Sequence, residues 1–181
     1  MKARPSNTVR IIGGEYRRRV LRFPDLPGLR PTPDRVRETL FNWLGQRLNG
    51  LVCLDAFAGS GALGFEAASR GAARVVMLEQ EREAHASLLE NARVLALTGV
   101  DILRRDAHAY LSASSDIYDL IFLDPPFSGN LLSTILPLAA TRLAPDGRIY
   151  AESPSPLAPE GMTVLRQGRA GLSHFCLLEL A

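Results

Sequence analysis

The chain has 181 residues, of which 46% are hydrophobic, and its formal net charge is +2. This length predicts one domain with a core of its own. The short, interrupted apolar segments argue against a transmembrane helix, and no apolar stretch follows the basic N-terminus as in a signal peptide. Cys53 and Cys176 lie far apart without metal-ligand spacing, so we expect neither disulfides nor a bound metal. The expectation is a monomeric, cytoplasmic protein without a membrane partner.

Positive charge is concentrated at the N-terminus. Residues 1–37 hold ten basic and three acidic residues, or +7, and the remainder holds 11 basic and 16 acidic residues, or −5. Nearly all of the basic residues are arginine, which suits phosphate contacts and base stacking. We therefore expect a polyanionic partner, although a solvated arm or a genomic bias would give the same pattern. The ten are Lys2, Arg4, Arg10, Arg17, Arg18, Arg19, Arg22, Arg30, Arg35 and Arg37.

The first predicted element is a β-hairpin in this basic segment. Its strands are Thr8–Ile12 and Tyr16–Leu21, joined by two glycines. In the second strand, Arg17 and Arg19 would share one face and Arg18 would lie on the other.

A connector rich in proline and glycine, residues 23–31, leads to the first predicted helix. Thr32 is a suitable N-cap and Pro33 a suitable first helical residue, and the helix should run to about Leu48. We accordingly expect residues 1–31 to form a basic hairpin extension and residues 32–181 to form the main domain.

From residue 51 onward, predicted strands and helices alternate. The strands are Leu51–Ala56, Arg74–Glu79, Val100–Arg105, Tyr118–Asp124 and Arg148–Glu152. The helices are Ala62–Arg70, Arg82–Leu97, Ala107–Ala113 and Asn130–Leu143. A terminal hairpin is predicted from Met162–Arg166 and Leu172–Leu180, across residues 168–171. The pattern indicates an α/β fold with a doubly wound, Rossmann-like sheet that is mostly parallel and ends in an antiparallel hairpin strand.

A glycine-rich loop, Asp55–Gly64, joins the first of these strands to its helix. Glycines at 59, 61 and 64 match the dinucleotide fingerprint, and Glu79 lies at the end of the next strand, where a ribose-binding acid belongs. The glycine spacing therefore fits an NAD enzyme. The residues expected to contact a cofactor are Asp55, Ala56, Gly59, Ser60, Gly61, Glu79, Gln80, Asp106 and Ala107.

Three acids favour S-adenosylmethionine over NAD as that cofactor. Asp55 would repel a pyrophosphate but can meet a cationic amino-acid group. Asp106, at the end of the third strand, can accept a hydrogen bond from an adenine amine, although it suits a helix N-cap equally well. Asp124 belongs to a motif without a role in hydride transfer. We expect S-adenosyl-L-methionine as methyl donor, S-adenosyl-L-homocysteine as product and no metal.

That motif, Asp124-Pro125-Pro126-Phe127, ends a buried apolar strand. Two prolines stop a strand abruptly, which leaves Asp124 at the carboxyl end, where open α/β sheets bind ligands. The Asp124 carboxylate and the Pro125 carbonyl can accept the two N–H bonds of an exocyclic amine and aim its lone pair at a methyl group. Phe127 can stack on a base. The alternative is that the motif has a structural role only, as a buried turn whose aromatic ring fills space in the core.

Five stretches carry a resemblance to a known family: Arg10–Gly14, Leu29–Trp43, Asp55–Gly64, Asp124–Phe127 and Ile149–Ser153. Together they resemble the bacterial 16S rRNA guanine(966)-N2 methyltransferases, the RsmD family, over essentially the whole chain. The resemblance implies a class I methyltransferase fold and methylation of a guanine N2 amine in 16S rRNA, on the 30S particle or its assembly intermediate. It gives Arg10, Arg17 and Arg19 an RNA-contacting role and places residues 32–37 near the methionine end of the cofactor. We expect Arg18, in the same hairpin, to contact RNA as well.

Two positions depart from the family pattern. Arg18 stands where relatives often have glycine, and Gly168 stands where a basic residue is expected. Alternative functions are methylation of adenine N6 in DNA or of a protein glutamine, because the Asp124 motif accepts any planar amine, and a non-catalytic RNA-binding module. The chain lacks room for a DNA-recognition domain, and intact Asp55 and Asp124 argue against a vestigial site.

Overall fold

The computed structural model describes residues 6–181, so Lys2 and Arg4 of the basic segment lie outside the described residues. The strands are β1 (Ser6–Arg10), β2 (Val20–Pro24), β3 (Val52–Asp55), β4 (Arg74–Leu78), β5 (Val100–Leu103), β6 (Tyr118–Leu123), β7 (Leu143–Ser153), β8 (Met162–Ala170) and β9 (Ser173–Leu180). The helices are α1 (Asp34–Trp43), α2 (Ala62–Ser69), α3 (Arg82–Val94), α4 (Ala107–Ala113) and α5 (Leu131–Ala140). In residues 6–181 no helix has the length and apolar character to cross a membrane.

Seven strands form one twisted sheet in the order β5-β4-β3-β6-β7-β9-β8. The first five pair in parallel, whereas β9 is antiparallel to both β7 and β8. The predicted fold class is confirmed. The strand order reverses between β3 and β6, and such a switch point opens a crevice at the carboxyl ends of the strands.

Helices cover both faces of this sheet. One face packs against α1, α2, α3 and the N-terminal hairpin, and the other packs against α4 and α5. Successive residues of β6 serve the two faces in turn, as the pleat requires, with Phe122 on the first and Ile121 and Leu123 on the second. Val9 and Leu21 of the hairpin belong to the first core, although β1 and β2 form their own sheet. The division at residue 31 stays a prediction.

The N-terminal hairpin exists, but more residues connect its two strands than the sequence predicts. Arg10 pairs with Val20, so residues 11–19 form a long connection rather than a two-glycine turn. The prediction that Arg17, Arg18 and Arg19 alternate along a strand is wrong. The backbone N–H groups of residues 15 and 16 donate to the backbone carbonyl and hydroxyl of Ser69 instead of to a strand partner, which holds this connection against the end of α2. Arg18 has a φ of 71°, a conformation that glycine adopts without strain.

Helix α1 differs from the prediction at both ends. Thr32 is not its N-cap: Pro33 holds that position without a side-chain hydrogen bond, and the Thr32 hydroxyl points to two carboxylates. The helix ends at Trp43 instead of near Leu48 because Gly45 has a φ of 85°. The N–H of Gln46 then donates to the carbonyl of Phe41 at 2.8 Å, which closes a Schellman motif.

The C-terminal hairpin is tighter than predicted. The two residues between Ala170 and Ser173 form its turn, whereas Gly168 lies inside β8 opposite Phe175. A Cβ at Gly168 would lie 2.5 Å from the Phe175 ring, so a larger residue there would have to displace this ring. The basic residue expected at this position would therefore need a different position of Phe175.

Candidate functional site

Four carboxylates line the carboxyl end of the sheet on four neighbouring strands. Asp55 ends β3, Glu79 follows β4, Asp124 follows β6, and Glu152 is the second-last residue of β7. The strand order places β3 and β6, with Asp55 and Asp124, side by side at the switch point. Sequence reasoning identified three of these acids as site residues and missed Glu152.

Asp55 fixes the start of the glycine loop. Its side chain is 2% exposed, and Oδ2 accepts a hydrogen bond from the N–H of Gly64 at 2.9 Å. Burial raises the pKa of Asp55 to about 7, against the lowering effect of hydrogen bonds from the backbone N–H groups of Gly64 and Phe57. The carboxyl group therefore ties β3 to α2, and its predicted contact with a cationic cofactor group stays a prediction.

Two glycines of the loop have backbone conformations that favour glycine, but their surroundings differ. Gly59 and Gly61 have φ angles of 51° and 82°. A Cβ at Gly61 would lie 2.5 Å from the ring of Phe65, whereas a Cβ at Gly59 would meet no atom closer than 3.9 Å. The backbone at Gly59 is thus open to a ligand, and the backbone at Gly61 is closed against the core. Two more loop residues that we expect at the cofactor, Ala56 and Ser60, are buried.

Glu79 holds the loop from the next strand. Its Oε2 accepts from the N–H of Gly59 at 3.0 Å, and its Oε1 accepts from the N–H of Glu81 at 2.8 Å. Each carboxylate oxygen has a second lone pair that can accept from a ligand. Gln80, beside it, is exposed at the same end of the sheet.

Asp106 caps helix α4. Its Oδ1 accepts from the N–H of Ala109 at 2.8 Å, which confirms the predicted N-cap. Ala107 is buried as the first residue of the helix. A contact from Asp106 to an adenine amine stays a prediction, since the second carboxylate oxygen can accept while the first caps the helix.

Asp124 lies beside a buried hydroxyl and a second carboxylate. The Oγ1 atom of Thr32 is 3.4 Å from Asp124 Oδ2 and 3.2 Å from Glu152 Oε1. Burial raises the pKa of Asp124 well above its ordinary value, and the charges of Glu152 and Asp55 raise it further, while the Thr32 hydrogen bond opposes them. Asp124 is thus a carboxyl group that binds a proton more readily than an ordinary aspartate.

The two residues after Asp124 that we expect at the substrate differ in exposure. Pro125 is buried, so its position is fixed against the core. Phe127 is 44% exposed, which is unusual for a large apolar side chain and leaves its ring free to stack on a planar ligand.

The connector between β2 and α1 crosses the switch point. The side chain of Leu29 reaches within 4.0 Å of the place where a Cβ on Gly59 would lie. Three residues later, Thr32 contacts Asp124. The sequence predicts only a connector at residues 23–31, but this segment passes from the glycine loop towards Asp124.

The arginine-rich connection of the hairpin lies away from Asp124. It packs on Ser69, the last residue of α2, whereas the glycine loop precedes the first residue of that helix. Eight residues of α-helix rise about 12 Å, so the structure does not bring these arginines together with Asp124. Arg10, Arg17, Arg18 and Arg19 are all exposed. Arg37 is not part of a basic surface, because it is fully buried.

Two cavities lie outside this row of carboxylates. The larger, about 860 Å³, is lined by the hairpin connection and the ends of α1 and α2, and includes Arg17 and Arg47. The smaller, about 320 Å³, lies beside Ser153 and Phe175. In residues 6–181 no group of three or more histidine, cysteine or acidic side chains is placed to hold a metal ion.

Known proteins resemble the chain along most of its length. The protein family described as "Conserved hypothetical protein 95" matches residues 9–179. "Ribosomal RNA small subunit methyltransferase D" of Escherichia coli (strain K12) is 41% identical over 172 residues, which cover 92% of this chain and 87% of that protein. The protein of the same name from Haemophilus influenzae is 37% identical over 180 residues, covering 94% and 93%. The solved structure "Putative methyltransferase yhhF from Escherichia coli" is 39% identical with a TM-score of 0.86, covering 96% of this chain and 98% of that one.

Proposed function

Given that the chain belongs to the ribosomal RNA small subunit methyltransferase D family, we propose that it transfers a methyl group from S-adenosylmethionine to the exocyclic N2 amine of a guanine in 16S rRNA. The observation that carries this proposal is the position of Asp124. It lies at the carboxyl end of β6, next to the glycine loop of β3, with an exposed aromatic ring three residues later. An acceptor for an amine and a loop for a cofactor thus share one switch point.

The residues at the switch point fit S-adenosylmethionine. Gly59 leaves the loop backbone open to a ligand, and the carboxylate of Glu79 beside it has lone pairs for ribose hydroxyl groups. Asp55 and Asp124 lie where a cationic cofactor would favour the ionised form of both carboxyl groups, and where a pyrophosphate would be repelled by them. When bound, this cofactor supplies an electrophilic methyl group on a sulfonium. We assign its binding to Asp55, Ala56, Gly59, Ser60, Gly61, Glu79, Gln80, Asp106 and Ala107, without a metal.

The substrate amine needs two acceptors, because its lone pair is delocalised into the ring. We assign one to the carboxylate of Asp124 and the other to the carbonyl of Pro125. Two hydrogen bonds on one nitrogen favour a tetrahedral nitrogen whose lone pair faces the methyl group, so orientation supplies most of the rate. The exposed ring of Phe127 would stack on the base after it leaves its helix.

The choice of substrate rests on the relatives and on the charge of the N-terminal segment. The curated relatives are named for small-subunit rRNA, and Arg10, Arg17, Arg18 and Arg19 are exposed cations suited to RNA phosphates. Because these arginines lie about a helix length from Asp124, they would contact RNA outside the target nucleotide. A structured RNA on the 30S particle or its assembly intermediate can span that distance. This substrate implies a cytoplasmic enzyme, which we expect to act as a monomer.

Nucleoside analysis tests the proposal. The full chain is incubated with S-adenosylmethionine and either 16S rRNA or 30S particles from a strain that lacks the enzyme, and the RNA is then digested and analysed by mass spectrometry. We expect N2-methylguanosine, with the better of the two substrates showing whether the particle is required. Methylation of adenine N6 or of a protein glutamine would refute the specific proposal, and cofactor-independent RNA binding without methylation would favour a non-catalytic RNA-binding module.

A further inference from the structure

One hydroxyl group bridges two carboxylates beside the proposed methyl-transfer site. Thr32 Oγ1 lies within hydrogen-bond distance of both Asp124 Oδ2, at 3.4 Å, and Glu152 Oε1, at 3.2 Å. A hydroxyl has one proton, so it can donate to only one of the two at a time, and it can accept from the other only when that carboxyl group is protonated. The three groups are therefore arranged in a row, with the Thr32 hydroxyl between the two carboxyl groups.

Glu152 is held at the end of this row by two more hydroxyl groups. Tyr150 donates to Oε1 at 2.7 Å, and Ser173 donates to Oε2 at 3.0 Å. The Glu152 side chain is only 6% exposed, and a buried carboxylate needs such donors to remain charged. An ordinary strand end does not require an acid at the position of Glu152. The residue before it, Ala151, is apolar and fully buried.

We propose that Glu152 is a positioning residue for methyl transfer: its charge, beside the Thr32 hydroxyl, favours retention on Asp124 of the proton that the substrate amine gives up. This inference rests on the proposed function. Asp124 would contact the amine. Glu152 contacts only protein groups, and its charge changes how strongly Asp124 binds a proton.

The step balances as follows in atoms and charge. The amine nitrogen forms a bond to the methyl carbon while the carbon–sulfur bond breaks and leaves its electron pair on sulfur. The methylated nitrogen is then positively charged and loses one proton to Asp124. The Asp124 O–H can then donate to Thr32 Oγ1 while the Thr32 hydroxyl donates to Glu152 Oε1. Asp124 is then neutral, and the Glu152 side chain has exchanged no proton.

This arrangement keeps the charge of the site constant. Before transfer, two carboxylates face one positive sulfonium; after transfer, the sulfonium charge has gone and one proton has replaced it. Without a cation beside them, the carboxylates of Asp124 and Glu152 would repel each other. This repulsion favours retention of the proton until the product leaves. The groups that face Asp124 are Asp55 from β3, Glu152 and Tyr150 from β7, and Thr32 from the connector.

Proton-linked binding tests the inference without a methyl-transfer assay. Calorimetric titrations with S-adenosylmethionine and S-adenosylhomocysteine, in buffers of different ionisation enthalpy near neutral pH, give the number of protons released per ligand. The wild-type chain should release more protons with the sulfonium compound than with its neutral product. In Glu152→Gln this difference should fall by at least half, because Asp124 then ionises more readily in the free chain. An unchanged difference would overturn the inference.

The pH dependence of single-turnover methyl transfer provides a second test, with shifts of opposite sign. The acid limb is the part of the pH profile in which the rate falls as pH decreases. Glu152→Gln removes a charge that raises the pKa of Asp124, so this limb should move to lower pH. Thr32→Val removes a hydrogen bond that lowers the pKa of Asp124, so the limb should move to higher pH. Both variants should slow transfer at least tenfold, whereas Thr32→Ser should retain most of the rate and the wild-type limb.

The controls separate failure of this inference from failure of the proposed function. Cofactor affinity and thermal unfolding show whether each variant folds, since the hydroxyl groups around Glu152→Gln can reorient to meet an amide. Slower transfer without a shift of the acid limb would indicate a structural role and overturn the inference. A wild-type chain that binds the cofactor but methylates no RNA would refute the proposed function, while the titrations would still decide the role of Glu152.

Discussion

The Glu66 carboxylate lies 3.2 Å from the Arg37 guanidinium, and neither side chain is exposed to solvent. Arg37 also donates to the backbone carbonyls of Arg10, at 2.9 Å, and Thr32, at 3.1 Å. Glu66 accepts three further hydrogen bonds, from the backbone N–H groups of Ile12 and Gly13 and from the side chain of Arg70. One buried ion pair therefore connects the hairpin, the connector that leads to Asp124, and helix α2.

We predict that Glu66→Gln destabilises the chain strongly. The amide keeps the shape of the side chain but leaves the charges of Arg37 and Arg70 without their buried counter-ion, and breaking a buried pair costs about 3–5 kcal/mol. Urea denaturation of the full chain measures the effect. The matched control is Glu90→Gln, which breaks an exposed pair with Arg93 on α3 and should change the stability little. Equal effects of the two substitutions would contradict the account.

Gly61→Ala should destabilise the chain more than an alanine at another glycine with the same backbone conformation. Gly61 and Gly50 have φ angles of 82° and 79°, so both substitutions carry the same left-handed strain. Only at Gly61 would the new Cβ lie 2.5 Å from Phe65, whereas it would meet nothing within 4 Å at Gly50. We expect an extra cost of about 1–3 kcal/mol for Gly61→Ala, with weaker binding of S-adenosylmethionine. Denaturation and calorimetric titration of both variants check this.

The stability of the free chain should fall as pH rises through neutrality. Burial raises the pKa of Asp55 to about 7, above its ordinary value, so the folded chain binds this proton more tightly than the unfolded chain. The resulting stabilisation is complete below about pH 4 and is lost as pH rises through about 7. Asp124 acts in the same direction because its pKa is also raised. Urea denaturation between about pH 5 and pH 8 should therefore show a decreasing free energy of unfolding, with a smaller decrease in Asp55→Asn.

Removing the three hairpin arginines together should weaken RNA binding while leaving methyl transfer intact at saturation. Arg17, Arg18 and Arg19 are exposed and lie at the far end of α2 from the glycine loop. Replacing all three with alanine should raise the KM for 30S particles, keep kcat, and reduce the salt dependence of RNA affinity by about 0.7–0.9 per lost phosphate contact. The control is Arg166→Ala, which removes an exposed arginine from β8. A fall in kcat with unchanged KM would contradict a binding role.

The sheet and the glycine loop could be predicted because their signals are local. Apolar strands, glycines and the two prolines after Asp124 each determine structure within a few residues. Thr32 was misread as a helix cap because its partners, Asp124 and Glu152, are 92 and 120 residues away in the chain. Local capping rules cannot detect such contacts.

Two signals in the sequence point to the residues that were missed. Glu152 directly follows three buried residues of β7, and a charged residue there indicates a buried site rather than a surface. Arg37 lies beside Val36 and three residues before Leu40, on the apolar stripe of α1, so helical spacing already places it in the core. The count of ten basic residues for a polyanionic partner leaves that spacing out of account.

The most direct test of the central claim compares Asp124→Ala with wild type for N2-methylguanosine formation in 30S particles that lack the modification. Calorimetry first establishes that the variant binds S-adenosylmethionine, and Asp146→Asn, a change at an exposed acid outside the site, serves as control. We predict a loss of at least a hundredfold in single-turnover rate for Asp124→Ala, since one acceptor of the amine is removed, and no change for Asp146→Asn. Wild-type rates of N2-methylguanosine formation in Asp124→Ala would contradict the account.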